Sequence, residues 1–518
     1  MFSRRKSGIL LHISSLPDSP GIGTLGESAF EFVNWLKAGN QSFWQMLPIG
    51  PTGYGDSPYA SFSSFAGNPL FVDLNLLAKN GWATEEEIRH PYKIKTTGNV
   101  NYPGVIKWKI PLLLEIGGRF AKNPGNAGDA FREFKEANSH WLDDYALFMN
   151  IKDFYEKKLA NRKNPHGITW FHSWPKPLAR KEEEAVEKWR GEHNDEIEAH
   201  KAIQFFFRVQ WDALKRYAND NGICLIGDIP IFVAPNSADV WANQKEFLLG
   251  RSGKPTLVSG VPPDYFSETG QLWGNPLFNW KKMARDDFAW WISRIRQTLT
   301  FFDAIRVDHF RGFEAFWAVP SSETTAQNGT WIKAPGEKFF KAVKAQLGDV
   351  PIIAEDLGVI TDEVTRLRTK FNFPGMKILQ FAFNKGEIDQ RGYVNPYMPH
   401  QFENPNCVAY TGTHDNTTLA AYIDSLSPDE LMCIKKYVGT GIKYSGLHNE
   451  MIRLLFASIA NTVIIPMQDV FGLGEKTRMN APSTTGGTNW QWRMIQRNFS
   501  HKKAEGLARL SYLYGRNL

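Results

Sequence analysis

Only three cysteines, Cys224, Cys407 and Cys433, occur in 518 residues. Their number is odd and their spacing fits no metal site, so neither a disulfide framework nor a zinc module is expected. Free thiols in a reducing compartment fit better. Long apolar runs are missing too, and no stretch approaches the roughly 20 residues of a membrane span. The chain begins basic, but Ile9-Leu10-Leu11 is all the apolar sequence that precedes His12. A secretory segment needs about 7–15 such residues, so no signal peptide and a cytoplasmic location are expected. Charge of one sign is scarce: 60 Lys+Arg against 54 Asp+Glu leave a net +6. Basic residues alternate with acids, as in Lys181-Glu182-Glu183-Glu184, which marks a solvated face and argues against a nucleic-acid partner. Repeats and low-complexity tracts are absent.

Aromatic residues, by contrast, are plentiful at 14% of the chain. A large core accounts for most of them. Those in polar, Gly/Pro-rich loops suit a ligand with flat apolar faces, of which sugars are the commonest in water. Short apolar runs recur at Gly8–Ile13, Phe43–Ile49, Gly222–Val233, Phe302–Phe310, Pro351–Leu357, Gly375–Phe381, Cys407–Tyr410 and Asn461–Val470. Most are too continuous to be half-exposed, as in parallel strands buried on both faces. Helical periodicity falls between them, over Glu27–Ala38, Ala202–Asn219, Arg285–Phe302, Gly336–Gln346, Thr361–Lys370 and Ala504–Tyr514. Eight strands alternating with helices predict an α/β fold, a (β/α)8 TIM barrel spanning 1–518. No Gly-x-Gly-x-x-Gly turn follows the first strand, which weakens the doubly wound alternative. Two excursions interrupt the barrel: a mainly helical insertion over 69–201, between strands two and three, and an irregular one over 234–282.

Three of the apolar strands run into acids: Asp308, Glu355 and, through Thr411-Gly412-Thr413, His414-Asp415. Burying a carboxylate at such a place costs several kcal/mol unless it is partnered. Acids converging from several strand ends are how a barrel enzyme builds its site. In Arg306-Val307-Asp308 the alternation of side chains puts Arg306 and Asp308 on one face, where the arginine favours the charged carboxylate. A structural ion pair between strands explains the same spacing. Glu355 follows Ile352-Ile353-Ala354 out of an apolar wall, where desolvation raises a carboxyl's pKa and equips it to donate a proton. A cap or salt bridge is the bland reading for Glu355 as well, and Asp356 is expected to be structural, as a helix cap. Two carboxyls shifted in opposite directions suit cleavage of a glycosidic bond. Asp415 then binds sugar hydroxyls, with His414 beside it. Asp228, in Gly227-Asp228-Ile229-Pro230, is a fourth strand-end acid able to fix Arg306, and Asp469 ends the last strand in the same way.

These stretches resemble a known family. Ala304–Gly312, Ala354–Gly358, Thr413–Asn416 and Gly227–Pro230 are similar to the strand-end regions of the α-amylase clan. The fuller resemblance is to the 4-α-glucanotransferases called amylomaltase or disproportionating enzyme. It is carried also by Gly8–Pro17, Gly53–Tyr59, Gly260–Pro276 and Arg478–Pro482, and it extends from about residue 8 to 497. General amylases lack the Gly260–Pro276 loop. The resemblance implies that Asp308 is the nucleophile, Glu355 the acid/base and Asp415 the transition-state stabiliser. By the same resemblance Arg306, His309 and His414 meet the sugar, Tyr59, Asp264, Trp273 and Asn480 line the groove, and Tyr54 belongs to a secondary glucan site. Asp228 joins the binding residues. It implies no cofactor and no calcium, with 1,4-α-glucans and maltooligosaccharides as donors and glucans or glucose as acceptors.

Three rivals share parts of this pattern. An α-glucan hydrolase of the same clan would use the same acids with water as acceptor. A metal-dependent barrel enzyme would use His309, His414, Asp228 and Asp308, but no His-x-His or His-x-x-x-His spacing is present. A catalytically dead glucan-binding protein would not need all three acids.

Overall fold

The computed structural model describes residues 1–17, 21–89, 98–160, 170–263, 267–495 and 500–516, apart from the side chains of Tyr54, Leu159 and Ala160. Eight parallel strands form its centre: β1 Lys6–Leu10, β2 Phe43–Gln45, β3 Cys224–Ile229, β4 Ala304–Val307, β5 Ile352–Ala354, β6 Gly375–Ile378, β7 Cys407–Tyr410 and β8 Thr462–Pro466. Every residue of β2, β4, β5, β7 and β8 is buried, which is why these runs are apolar without alternation. Hydrogen-bonded neighbours run β6-β7-β8-β1-β2-β3-β4-β5. At the remaining seam, Ala354 N–H donates to the Pro374 carbonyl at 2.9 Å and Met376 N–H to the Asp356 carboxylate at 2.7 Å. The sheet thereby closes into a (β/α)8 barrel.

Asp356 is therefore a seam residue and not a helix cap. Its second oxygen pairs with Arg368 at 3.0 Å, and Thr361 holds the N-cap position of the next helix, Asp362–Lys370. Gly375 makes the approach possible, since a Cβ there would fall 2.3 Å from the Asp356 carboxylate.

The outer helices follow their periodicity. Glu27–Ala38 buries Ala29, Phe32, Val33 and Leu36, and Gly336–Leu347 buries Phe339, Phe340 and Val343, one stripe in each case. The helix expected over Arg285–Phe302 begins instead at Ala289, because Asp287 and Phe288 take left-handed conformations (φ 51° and 60°) that bend the chain. Between β2 and β3, among the described residues, lie the helices Tyr102–Lys122, Gly128–Ala160, Glu183–Glu192 and Asn194–Asp220, and no strand. The last of these runs through Lys201 unbroken, since nothing there caps or breaks a helix.

The 234–282 excursion is not irregular. Leu257–Val261 and Gln271–Pro276 pair antiparallel within it, and Ala315–Pro320 and Thr330–Lys333 complete a second, four-stranded sheet. Gln271-Leu272-Trp273-Gly274-Asn275-Pro276 carries a glycine and a proline, so its strand character comes from its partner and not from propensity. No helix among the described residues is long and apolar enough to cross a membrane.

A buried cation fastens the end of the barrel away from the acids. The Arg516 guanidinium, fully buried, donates to the carbonyls of Phe456 (2.9 Å), Ser458 (3.1 Å), Ala460 (2.8 Å), Lys6 (3.2 Å) and Asn461 (3.3 Å). It closes the C-terminus of the helix Tyr444–Ala457 against the starts of β1 and β8. Burial pulls its pKa down to about 9, so the ring of carbonyls is what holds the charge. Arg516→Met leaves several of those carbonyls without a donor, and a loss of about 3 kcal/mol is expected. A urea midpoint equal to that of the parent protein contradicts this.

Candidate active site

Register places the first pair. In the β3–β4 ladder Asp228 and Arg306 are direct neighbours. Arg306 Nη1 meets Asp228 Oδ2 at 2.6 Å, and its Nη2 meets Asp308 Oδ1 at 2.9 Å, so one guanidinium bridges two carboxylates. Burial alone would weaken the arginine's charge, but Asp228 and Asp308 more than offset it and hold Arg306 protonated. Burial pushes the Asp228 carboxyl upward, and Arg306 opposes that shift. Arg306 and Asp228 are buried, whereas Asp308 keeps 28% of its side chain exposed at the barrel mouth. Asp308 is the most open of the three.

Glu355 sits beside this pair. Its Oε2 accepts the His309 N–H at 2.7 Å and its Oε1 the Leu357 N–H at 2.9 Å. His309 aims its N–H there by taking a left-handed conformation, φ 47°, which is uncommon for a residue with a side chain and is offset by the bond it allows. Burial, reinforced by the charge on Asp308, pushes Glu355 up to about 7. Burial draws the His309 imidazole down to about 4, so it is neutral at physiological pH. Its Nε2 has no partner among the described residues.

A third group completes the mouth. The Tyr59 hydroxyl donates to Asp228 Oδ2 at 2.7 Å, and its ring stacks on His414 at 5.1 Å and lies 5.7 Å from Trp490. Asp415 is the open member, with 45% of its side chain exposed. Asn480 Nδ2 donates to Asp415 Oδ1 at 2.7 Å, and His414 Nε2 lies 3.3 Å from the same oxygen. Arg478 fixes the backbone around both, donating to the carbonyls of Asp415 and Asn480 at 2.8 Å each. From the second sheet, Trp273 meets the His309 ring edge-on at 4.8 Å and remains 37% exposed.

The structure thus brings Tyr59, Asp228, Trp273, Arg306, Asp308, His309, Glu355, His414, Asp415 and Asn480 to one end of the barrel. Asp264 and the side chain of Tyr54 lie outside the described residues. Asp469 belongs elsewhere: it accepts from Thr411 Oγ1 (2.6 Å) and Leu419 N–H (2.7 Å), tying β7's exit to β8's end. Trp490 was not anticipated. Its signal was present, an aromatic in the Gly486-Gly487-Thr488-Asn489-Trp490 loop, but only the fold shows that this loop returns to His414. Among the described residues, no group of three or more His, Cys, Asp or Glu is arranged to hold a metal ion.

A family profile described as 4-alpha-glucanotransferase matches residues 11–497, which include every residue of this site. The chain belongs to the 4-alpha-glucanotransferase family. A 4-alpha-glucanotransferase of Synechocystis sp. is 44% identical over 100% of this chain and 99% of its own length. The 4-alpha-glucanotransferase of Thermus thermophilus is 44% identical, with 95% of each chain covered. Among solved structures, the amylomaltase of Streptococcus agalactiae in complex with acarbose superposes with a TM-score of 0.92 at 37% identity, covering 99% of this chain and 100% of that one. Membership of the 4-alpha-glucanotransferases removes the metal-dependent barrel enzyme from the rivals. It also gives the three acids a shared setting in an enzyme family that handles glucans.

Proposed function

We propose that this enzyme transfers a 1,4-α-glucan segment to the 4-hydroxyl of another glucan or of glucose, with retention, through a covalent glycosyl-enzyme. The observation that carries this reading is the unequal treatment of two neighbouring carboxyls. Asp308 is paired with a permanently charged guanidinium, and Glu355 is pushed up to about 7 beside it. In the first half-reaction the Asp308 carboxylate attacks the anomeric carbon while Glu355 gives its proton to the departing 4-oxygen. The C1–O4 bond breaks and an ester to Asp308 forms. In the second half, Glu355 takes the proton of the incoming 4-hydroxyl, which attacks the same carbon and frees Asp308. Asp415, steered by Asn480 and His414, binds the hydroxyls of the reacting sugar, a contact that strengthens as its ring flattens. The neutral imidazole of His309 and the faces of Tyr59 and Trp273 complete the cradle. The strands around Gly260–Pro276 act as a lid that favours a sugar acceptor over water. Free thiols at Cys224, Cys407 and Cys433 accord with work in a reducing compartment.

Maltotriose supplied alone tests the reaction. Transfer yields glucose together with maltotetraose and longer chains. Accumulation of glucose and maltose alone favours the hydrolase alternative, and no product at all favours a glucan-binding role.

A further inference from the structure

The hairpin that carries Tyr59 meets the barrel mouth through that side chain. Phe62 N–H donates to the Pro51 carbonyl, Gly53 N–H to the Ala60 carbonyl, and Thr52 bridges Ser61, so Pro51–Phe62 closes as a small hairpin. Below it lies a cavity lined by Pro58, Tyr59, Ser61, Asp228 and Pro230. Its hold on the barrel site passes through Tyr59, by the hydroxyl on Asp228 and the ring stacked on His414. Its base is held from two sides, by the helical insertion and by the short helix Ala238–Ala242, whose Asp239 accepts the Ser64 N–H at 2.8 Å.

The base carries a group of charged and polar residues, two of them, Lys152 and His200, buried. Lys152, on the helix Gly128–Ala160, has a side chain only 8% exposed and pairs with Glu156 at 2.9 Å and Asp153 at 3.5 Å. His200, buried on the helix Asn194–Asp220, lies 3.6 Å from Asp153. None of these four touches the reacting residues. What Lys152 does reach is Phe62, its ammonium 4.6 Å from the ring centroid. A cation held over a ring and shielded from water is a strong and directional contact. Phe62's carbonyl also accepts the Ala238 N–H at 2.8 Å. Just downstream, Gln204 clamps both backbone groups of Gly67, donating at 2.9 Å and accepting at 2.8 Å. A Cβ at Gly67 would fall 2.2 Å from Phe207, so the segment lies directly against that helix.

We propose that the helical insertion is one side of the mount of the Tyr59 hairpin, and that Lys152 and Phe62 are positioning residues that set the Tyr59 side chain on Asp228 and His414. Through Asp228 and Arg306 the placement reaches Asp308. The inference rests on the transferase reading, and the two are separable. Product formation by the parent enzyme on maltotriose tests the reading, whereas the mount is tested by comparing variants of an active enzyme.

The experiment is a double-mutant cycle on kcat with maltotriose. Phe62→Leu keeps an apolar side chain but removes the ring face, and about a tenfold loss of kcat is expected from a small misplacement of the hairpin. Tyr59→Ala removes both the hydroxyl on Asp228 and the ring on His414 that link the hairpin to the site. In the Tyr59→Ala background, Phe62→Leu is expected to cost less than about twofold, because the route to the reacting centre is already cut. Equal fold losses in both backgrounds overturn the proposal, since a general structural defect multiplies. Lys152→Met is expected to match Phe62→Leu and Lys152→Arg to restore most of the rate. A folded Lys152→Met with parental kcat also overturns it. If Lys152→Met does not fold, the Phe62 cycle decides by itself.

Discussion

Asp308→Asn is expected to leave the barrel folded and to reduce transfer from maltotriose by at least about 10⁴-fold, the scale on which removing a nucleophile acts. The amide cannot form the glycosyl ester. It keeps the shape of the carboxylate and can still lie against Arg306, which remains tied to the buried Asp228. Loss of folding is therefore not the expected cause of inactivity. A melting temperature close to the parent's, alongside the lost rate, separates the two. Turnover within tenfold of the parent's would remove Asp308 from the chemistry.

Glu355→Gln is the second large effect, and pH distinguishes it from the first. A general acid contributes about 10²–10⁴-fold, and a loss in that range is expected for glucan donors with a poor leaving group. An activated donor that leaves without a proton should be spared much of it in the first half-reaction. The parent enzyme's kcat/KM for maltotriose should fall as pH rises through about 7, because the proton that Glu355 must donate is lost there. That limb should be absent from the residual activity of Glu355→Gln. The sign for stability is the same. A carboxyl raised from 4.5 to about 7 in the folded state stabilises it below pH 4.5, and that contribution is gone once pH passes 7. A basic limb that survives the substitution assigns the proton to another group.

Much of this was legible in the residues because the barrel strands announce themselves. Ile352–Ala354 and Ala304–Val307 are buried on both faces and run into Glu355 and Asp308, so apolar continuity and a terminal acid coincide in sequence as they do in space. Alternation alone put Arg306 and Asp308 on one face, and the 2.9 Å pair follows from it. What escaped was whatever depends on distant partners. The strand Gln271–Pro276 exists because Leu257–Val261 lies beside it. Asp356 looks like a cap until β6 is known to close the barrel at Met376. Trp490 belongs to the site only because its loop folds back over Tyr59 and His414. The left-handed turn at His309, which carries the N–H to Glu355, has no glycine to signal it.

The most direct measurement is to trap the intermediate. A 5-fluoro-α-glucosyl fluoride donor forms the glycosyl ester faster than the ester can react onward, so a covalent adduct should accumulate. Digestion and mass spectrometry should then place one glucosyl unit on the peptide containing Arg306-Val307-Asp308, and the label should be absent from Asp308→Asn and discharged by added maltose. An active enzyme that carries the sugar on another residue, or that never becomes labelled while its products invert configuration, contradicts a nucleophilic Asp308 paired with a proton-holding Glu355.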